Sequence, residues 1–193
     1  MITNNAAFPY WSNAGVMPPI RPGYHGNSPD RSPYSTDTMS LVDFFATSPE
    51  RIHILDGLLR FRSELYQAGI TSGFQWVNGS YLENIEMLEN RSPNDMDIVT
   101  FTDFSGLDQQ ALITNHPTLF IPNKAKEIYS IDAYYVELGN QLEQESVRLV
   151  SYWYSMWSHR RNGVWKGFLQ IKLDSANDAC ARTLLNELQR SPS

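Results

Sequence analysis

Two short apolar stretches, each joined to polar residues, constrain the fold of this 193-residue chain most strongly. Residues 74–80 run from an apolar segment into a Gly-Ser pair, and residues 94–99 contain Asp95 and Asp97 one residue apart. Both segments have the length and composition of short strands. Because side chains alternate across a strand, Asp95 and Asp97 are expected on the same face. The pattern therefore predicts two carboxylates within one small volume.

Asp95 and Asp97 need a compensating charge, because carboxylates held this close repel each other unless a cation or a proton neutralises one of them. Mg²⁺ prefers oxygen ligands and commonly binds one or two carboxylates together with substrate phosphates. Gly79 lets the backbone approach a ligand closely, while the Ser80 hydroxyl and nearby amide groups can hold phosphate oxygens. The two stretches together predict a site for a divalent cation and a phosphate group.

A third carboxylate occurs further along the chain, at Asp132. The surrounding residues 127–136 are rich in β-branched and aromatic side chains, which predicts a strand. An unpaired carboxylate buried in an apolar strand costs several kcal/mol, so Asp132 needs a partner or a solvent-facing position. A salt bridge explains Asp132 when it is considered alone. Because it follows the Gly-Ser and Asp-x-Asp pairs, we interpret it as a third metal-binding carboxylate.

The order Gly79-Ser80, Asp95-x-Asp97 and Asp132 resembles the signature of the DNA polymerase beta-like nucleotidyltransferase superfamily. The resemblance extends over residues 74–136. Fourteen residues separate Ser80 from Asp95, slightly more than these enzymes usually carry, which indicates an extra loop there. We expect an α/β fold of the α+β type, in which a mixed, mainly antiparallel sheet carries the aspartates and is flanked by helices.

The resemblance also implies an activity, the transfer of a nucleoside monophosphate from a nucleoside triphosphate to an acceptor hydroxyl with release of pyrophosphate. Two Mg²⁺ or Mn²⁺ ions would activate the acceptor oxygen and stabilise the leaving group. On this basis Asp95 and Asp97 would hold both ions, and Asp132 would hold the ion nearest the acceptor and help to remove its proton. Gly79 and Ser80 would cradle the triphosphate.

A basic segment near the carboxyl-terminal part of the chain is a second candidate for phosphate contacts. Arg160 and Arg161 precede an Asn-Gly pair that signals a turn, and Lys166 follows it. These three side chains could bind the triphosphate or the backbone of an acceptor. A solvated turn explains them equally well.

The chain is long enough for one well-buried domain and too short for two. Residues 1–39 are rich in Pro and Gly and form an N-terminal arm, either a mobile tail or, as its aromatic side chains favour, a segment packed on the domain. Residues 40–193 are expected to form a single nucleotidyltransferase-like domain with a helical C-terminal region. Ser48 followed by Pro49 marks the start of its first long helix.

Composition excludes several classes of protein. The share of hydrophobic residues is 41% and no apolar run reaches the roughly 20 residues of a membrane-spanning helix. The N-terminus lacks the charged and apolar regions of a signal peptide, so we expect a cytoplasmic protein without membrane partners. The single cysteine, Cys180, rules out an internal disulfide bond. A net charge of −6 argues against broad electrostatic binding of nucleic acid.

Three functions remain open from the sequence. The first is an active nucleotidyltransferase, for instance a toxin or defence component, that acts on RNA, a protein or a small molecule. The second is a catalytically inactive module of the same fold that binds a nucleotide or a partner protein. The third is a transferase for hydroxylated antibiotics, which is disfavoured because such enzymes usually carry a larger acceptor domain. The choice of nucleotide, the acceptor and a homo-oligomeric state are left undetermined.

Overall fold

The computed structural model describes residues 7–121, 123–139 and 141–190. Within these ranges the chain forms an α+β fold, in which eight α-helices and one short 3-10 helix surround a five-stranded mixed sheet. The strands are β1 (Tyr34–Thr36), β2 (Phe74–Asn78), β3 (Met96–Thr102), β4 (Ile131–Glu137) and β5 (Leu169–Lys172). They lie in the order β1-β5-β2-β3-β4.

The helices are α1 (Thr38–Phe45), α2 (Pro49–Gln67), α3 (Ile85–Glu89), α4 (Gln109–Asn115), α5 (Pro117–Phe120), α6 (Lys124–Tyr129), α7 (Gln144–Trp157) and α8 (Ser175–Arg190). The 3-10 helix covers Ser80–Leu82. None of the helices in the described ranges combines the length and apolar character needed to cross a membrane.

The sheet is evenly divided between parallel and antiparallel pairs. Strand β2 pairs antiparallel with β3 and β5, whereas β1 pairs parallel with β5 and β3 pairs parallel with β4. The expectation of a mainly antiparallel sheet is therefore wrong. Helices α4, α5 and α6 lie between β3 and β4 in sequence, and a crossover of this kind is what joins parallel neighbours.

Helix α2 covers the face of the sheet that points away from the aspartates. It begins where the sequence predicts: the Ser48 side chain accepts a hydrogen bond from the Arg51 amide at 3.3 Å, and Pro49 occupies the first turn. Its Arg62 Nη1 donates to Gln75 Oε1 at 2.7 Å. Since Gln75 and Asn78 point to opposite faces of β2, α2 leaves the Asn78 face free.

Helix α7 lies on that other face. The ring of Tyr154 meets Trp76 edge-on at 6.3 Å between centroids, and the carbonyl oxygen of Trp157 accepts a hydrogen bond from Asn78 Nδ2 at 3.1 Å. Trp76 and Asn78 share one face of β2. The C-terminal end of α7 therefore stands over the edge of the sheet at which Asn78 ends β2.

The described part of the N-terminal arm packs on the domain. Phe8 and Met17 are buried, Trp11 Nε1 donates to the carbonyl oxygen of Leu82 at 2.7 Å, and the amide of Gly167 donates to the carbonyl oxygen of Met17 at 2.7 Å. Residues 34–36, which the sequence assigned to the arm, form β1 and pair with β5. The arm thus contributes both to the core and to the edge of the sheet.

Replacement of Trp11 by Phe tests this packing. The substitution keeps an aromatic ring but leaves the buried Leu82 carbonyl without its donor, which costs about 1 to 2 kcal/mol. We expect the melting temperature to fall by roughly 2 to 6 °C. Tyr10→Phe is the matched control, since the Tyr10 side chain is 62% exposed and should tolerate the loss of its hydroxyl. Equal melting temperatures for the two variants would contradict the packed arm.

Candidate functional site

A row of polar side chains crosses three neighbouring strands at one end of the sheet. Asn78 of β2 lies opposite Asp97 of β3, and Asp97 lies opposite Asp132 of β4. Residues in register point to the same face, so the three side chains are neighbours. Asp95 directly precedes β3 rather than lying within it. The alternation of side chains nevertheless leaves Asp95 beside Asp97, and both line one cavity.

This cavity has a volume of about 720 Å³ and is bounded by the end of the sheet, the C-terminal part of α7 and the residues after it. All eight residues singled out by the sequence line it: Gly79, Ser80, Asp95, Asp97, Asp132, Arg160, Arg161 and Lys166. The sequence missed other polar lining residues, among them Asn78, Glu83, Glu89, Arg91 and Lys126. The fold therefore gathers segments that are far apart in the chain into one polar site.

Asp97 lies at the centre of the carboxylate group. Among the described residues its carboxylate takes part in no hydrogen bond or ion pair, although its neighbours Asp95 and Asp132 are both acidic. Burial raises the pKa of Asp97 from its ordinary 3.8 to about 6, and repulsion from Asp95 and then Asp132 adds to the increase. The amines of Lys166 and Lys126 offset only part of it. The site is thus short of positive charge at Asp97.

Asp132 accepts a hydrogen bond from the hydroxyl of Tyr134 at 3.1 Å. Burial, followed by the charge of Asp132 and this hydrogen bond, raises the pKa of Tyr134 to about 12. Tyr134 therefore stays protonated near neutral pH and remains a donor to the carboxylate. This contact fixes one oxygen of Asp132 and leaves the other able to interact with a ligand.

Asp95 forms an ion pair with Lys126, whose Nζ lies 2.5 Å from Asp95 Oδ2. The hydrogen bond to Asp95 raises the pKa of Lys126. Residues 124–129 form helix α6, so the prediction of a strand from residue 127 is wrong at its start. Ser130 ends the helix with a positive φ of 57°, and β4 begins at the next residue. The described part of the chain contains no ready-made cluster of three or more His, Cys, Asp or Glu side chains that could hold a metal.

The turn after β2 requires glycine. Gly79 has a φ of +91°, and a Cβ placed there would lie 2.9 Å from Asp97 Oδ2 and 3.2 Å from Asp97 Cγ. Both the backbone conformation and the close approach exclude a larger residue. Ser80 follows at the start of the 3-10 helix and is half-buried at the cavity wall. Gly79 thus gives the Asp97 carboxylate its room.

Asn78 carries a buried acceptor without a partner. Its side chain is 2% exposed, Nδ2 donates to Trp157, and Oδ1 makes no hydrogen bond to any described residue. An unsatisfied buried carbonyl costs about 1 to 3 kcal/mol, so such groups tend to have a function. The sequence offered one signal for Asn78, a polar amide that ends an apolar strand just before the Gly-Ser pair.

The basic residues after α7 are largely neutralised by carboxylates of the same cavity. Glu83 lies 2.6 Å from Lys166 Nζ and 2.9 Å from Arg160 Nε, and Glu89 lies 2.6 Å from Arg160 Nη2. Glu83 and Lys166 are both buried. Arg161 is exposed and forms no ion pair with any described residue. A phosphate group bound here would therefore share Arg160 and Lys166 with Glu83.

The fold and the cavity together define an α+β protein with a charged site, containing three aspartates, at one end of a mixed sheet. The chain belongs to a family of unknown function, DUF6932, whose model matches residues 9–172. The match begins in the arm and extends through β5, so it includes every residue of the row and the basic segment. Neither the curated proteins nor the solved structures contain a significant match.

Proposed function

We propose that this protein is a metal-dependent nucleotidyltransferase of the DNA polymerase beta-like type, which transfers a nucleoside monophosphate from a nucleoside triphosphate to an acceptor hydroxyl. The observation that carries the proposal is the convergence of Asp95, Asp97 and Asp132 beside the Gly79-Ser80 turn in one cavity. These residues come from separate segments, and their chain order is the order of the superfamily signature.

The chemistry of the lining residues suits a hard divalent cation, although among the described residues the three carboxylates are not drawn together into a ready-made cluster. Three carboxylates supply oxygen ligands, and the buried Oδ1 of Asn78 is a fourth oxygen that lacks a partner. Burial, with repulsion from Asp95 and Asp132, raises the pKa of Asp97, as is expected where ionised carboxylates have no cation bound between them. The Gly79 backbone comes close enough to Asp97 for a ligand on the turn to reach the carboxylates. Asp95, Asp97 and Asp132 would hold Mg²⁺ or Mn²⁺.

The charges of the cavity also suit a nucleoside triphosphate. Five acidic and five basic side chains line it, so the wall is balanced overall. The acidic residues nearest the sheet favour cations, whereas Arg161 and the partly shared Arg160 and Lys166 favour phosphates. A triphosphate accompanied by divalent cations carries both signs in the same ligand. Its length would let the phosphates extend from the carboxylates toward the basic segment.

The roles of the protein groups follow from their positions. Bound Mg²⁺ would supply Lewis-acid stabilisation of the charge that develops on the transferred phosphoryl group and on the leaving pyrophosphate. The Ser80 hydroxyl would donate to a phosphate oxygen. Asp132, oriented by Tyr134, would accept the proton of the acceptor hydroxyl. The protein thus contributes positioning and electrostatic stabilisation, which are the main needs of phosphoryl transfer.

Transfer of label tests the proposal directly. Purified protein would be incubated with Mg²⁺, a cell extract and each nucleoside triphosphate labelled at the α-phosphate. We expect label from at least one nucleotide to become attached to an extract component, and EDTA or Asp95→Asn to abolish this transfer. Asp103→Asn is the control: this exposed aspartate accepts a hydrogen bond from the Ser105 amide in a turn, away from the cavity.

A second candidate function is nucleotide binding without turnover. It is favoured by the ion pairs of Lys126 with Asp95 and of Glu83 with Lys166, which occupy charges that catalysis would use. This candidate predicts a Mg²⁺-dependent rise in melting temperature with a nucleotide, as any ligand of the native state produces, but no transfer of label. Absence of both the thermal shift and the transfer would exclude both functions.

A further inference from the structure

Lys126 is the one cation among the described residues that forms an ion pair with a carboxylate of the aspartate group. Its Nζ contacts Asp95 Oδ2, and its side chain is 50% exposed. Asp95 is held at the end of the sheet, whereas the four-carbon side chain of Lys126 is flexible and can place its ammonium group elsewhere. The carboxylate occupied by Lys126 is one that the proposed function assigns to a divalent cation.

The two basic side chains that contact Glu83 are less free to move. Lys166 is buried and contacts Glu83, while Arg160 is held by Glu83 and Glu89. Lys126 has only Asp95 as an ion-pair partner among the described residues. A divalent cation on Asp95 would compete with the ammonium group, because the two positive charges repel each other at the same carboxylate. The displaced ammonium group would then face any phosphate that the cation binds.

We propose that Lys126 binds two partners in turn, the Asp95 carboxylate in the metal-free protein and a phosphate oxygen of the nucleotide once a divalent cation has taken Asp95. This inference rests on the proposed function, since it assumes a cation and a phosphate at the same site. Lys126 acts as a resident cation that prevents the carboxylates from remaining uncompensated. Lys126 also couples binding of the divalent cation to binding of the phosphate, because both ligands favour the lysine position away from Asp95.

The exchange predicts effects of opposite sign on the two ligands. Removal of the amine eliminates the competitor for Asp95 and a positive charge that repels the metal, so binding of the metal alone becomes tighter. The same removal eliminates a phosphate contact, so binding of the phosphate chain becomes weaker. An ordinary surface ion pair is worth about 0 to 1 kcal/mol and would produce no such divergence.

The test compares Lys126→Met with Lys124→Met. Lys124 is an exposed residue of the same helix and is not among the described residues of the cavity wall, so its loss removes the same charge from α6 without touching the site. The probes are Mn²⁺ alone, measured by titration calorimetry, and inorganic tripolyphosphate at saturating Mn²⁺. Tripolyphosphate carries the chemistry that all nucleoside triphosphates share. A single cooperative thermal transition, well above the temperature of the titrations, would confirm that each variant is folded.

We expect Lys126→Met to bind Mn²⁺ at least about fivefold more tightly than the wild type and tripolyphosphate at least about fivefold more weakly. Lys124→Met should stay within about twofold of the wild type for both. If Lys126→Met matches Lys124→Met in either titration, or if Mn²⁺ does not bind, the inference is overturned. Failure of the proposed function gives a different result, in which both titrations behave as expected but wild-type protein transfers no label.

Discussion

Asp132→Asn should slow nucleotidyl transfer at least about a hundredfold while changing nucleotide affinity by less than about tenfold. These limits correspond to about 2.7 kcal/mol of lost transition-state stabilisation against at most about 1.4 kcal/mol of lost binding. Asp95 and Asp97 retain the cation and the nucleotide in this variant. The amide of asparagine keeps the shape of Asp132 and can still accept from Tyr134, but it cannot take the proton of the acceptor hydroxyl.

Single-turnover kinetics with the wild type and the variant would separate binding from the chemical step. Tyr134→Phe is the matched control, because it removes the hydrogen bond to Asp132 and leaves the carboxylate in place. It should reduce transfer by less than about tenfold. If Asp132 has only a structural role, Asp132→Asn will lower the melting temperature and will not slow transfer selectively in the protein that remains folded.

The helices were the part of the fold that the sequence predicted best. The Ser48-Pro49 start of α2 is a local signal, and the structure confirms it. The predicted helical C-terminal region contains α7 and, at its end, α8 (Ser175–Arg190). Local signals suffice here because capping and the helical period depend only on residues within about one turn.

The start of β4 and the directions of the strands were not predicted correctly from local sequence. The strand around Asp132 was predicted from residue 127 onward, but residues 124–129 form α6 and the strand starts at Ile131. The same β-branched and aromatic composition fits a short helix when Ala125 and Tyr129 face the core. Strand direction depends on the crossover between β3 and β4, which no pattern within either strand encodes.

The candidate site was also predicted only in part from the sequence. The aspartates could be found from their order and spacing, and the structure places them in one cavity with the other predicted residues. Their counter-charges could not be found this way. Glu83 meets Lys166 across 83 residues of sequence. Lys126 meets Asp95 because the end of α6 lies beside the start of β3, where the Met96 amide donates to the carbonyl oxygen of Ser130. Such pairings are products of tertiary structure. The nucleotidyltransferase function itself remains a prediction.

Metal-free Asp97→Asn should be more stable than the wild type near neutral pH. The pKa of Asp97 is about 6 in the folded protein against its ordinary 3.8, so the folded state binds a proton in this range that the unfolded chain releases. The free energy of unfolding therefore falls as the pH rises from 3.8 to about 6. The full loss of stability caused by the ionised Asp97, about 3 kcal/mol, is present at pH 7. Asparagine removes this cost, because it carries no charge.

In EDTA at about pH 7.5 the variant should melt roughly 6 to 12 °C above the wild type. The difference in the free energy of unfolding should shrink from about 3 kcal/mol to about 1 kcal/mol near pH 4.5, where Asp97 is largely protonated in the folded protein. Mn²⁺ should reverse the order, since it stabilises only the protein that binds it. Asp103→Asn, in an exposed turn, should show neither effect. A metal-free Asp97→Asn protein that melts below the wild type at neutral pH would mean that the carboxylate stabilises the fold, and the uncompensated charge that supports the cation site would then be absent.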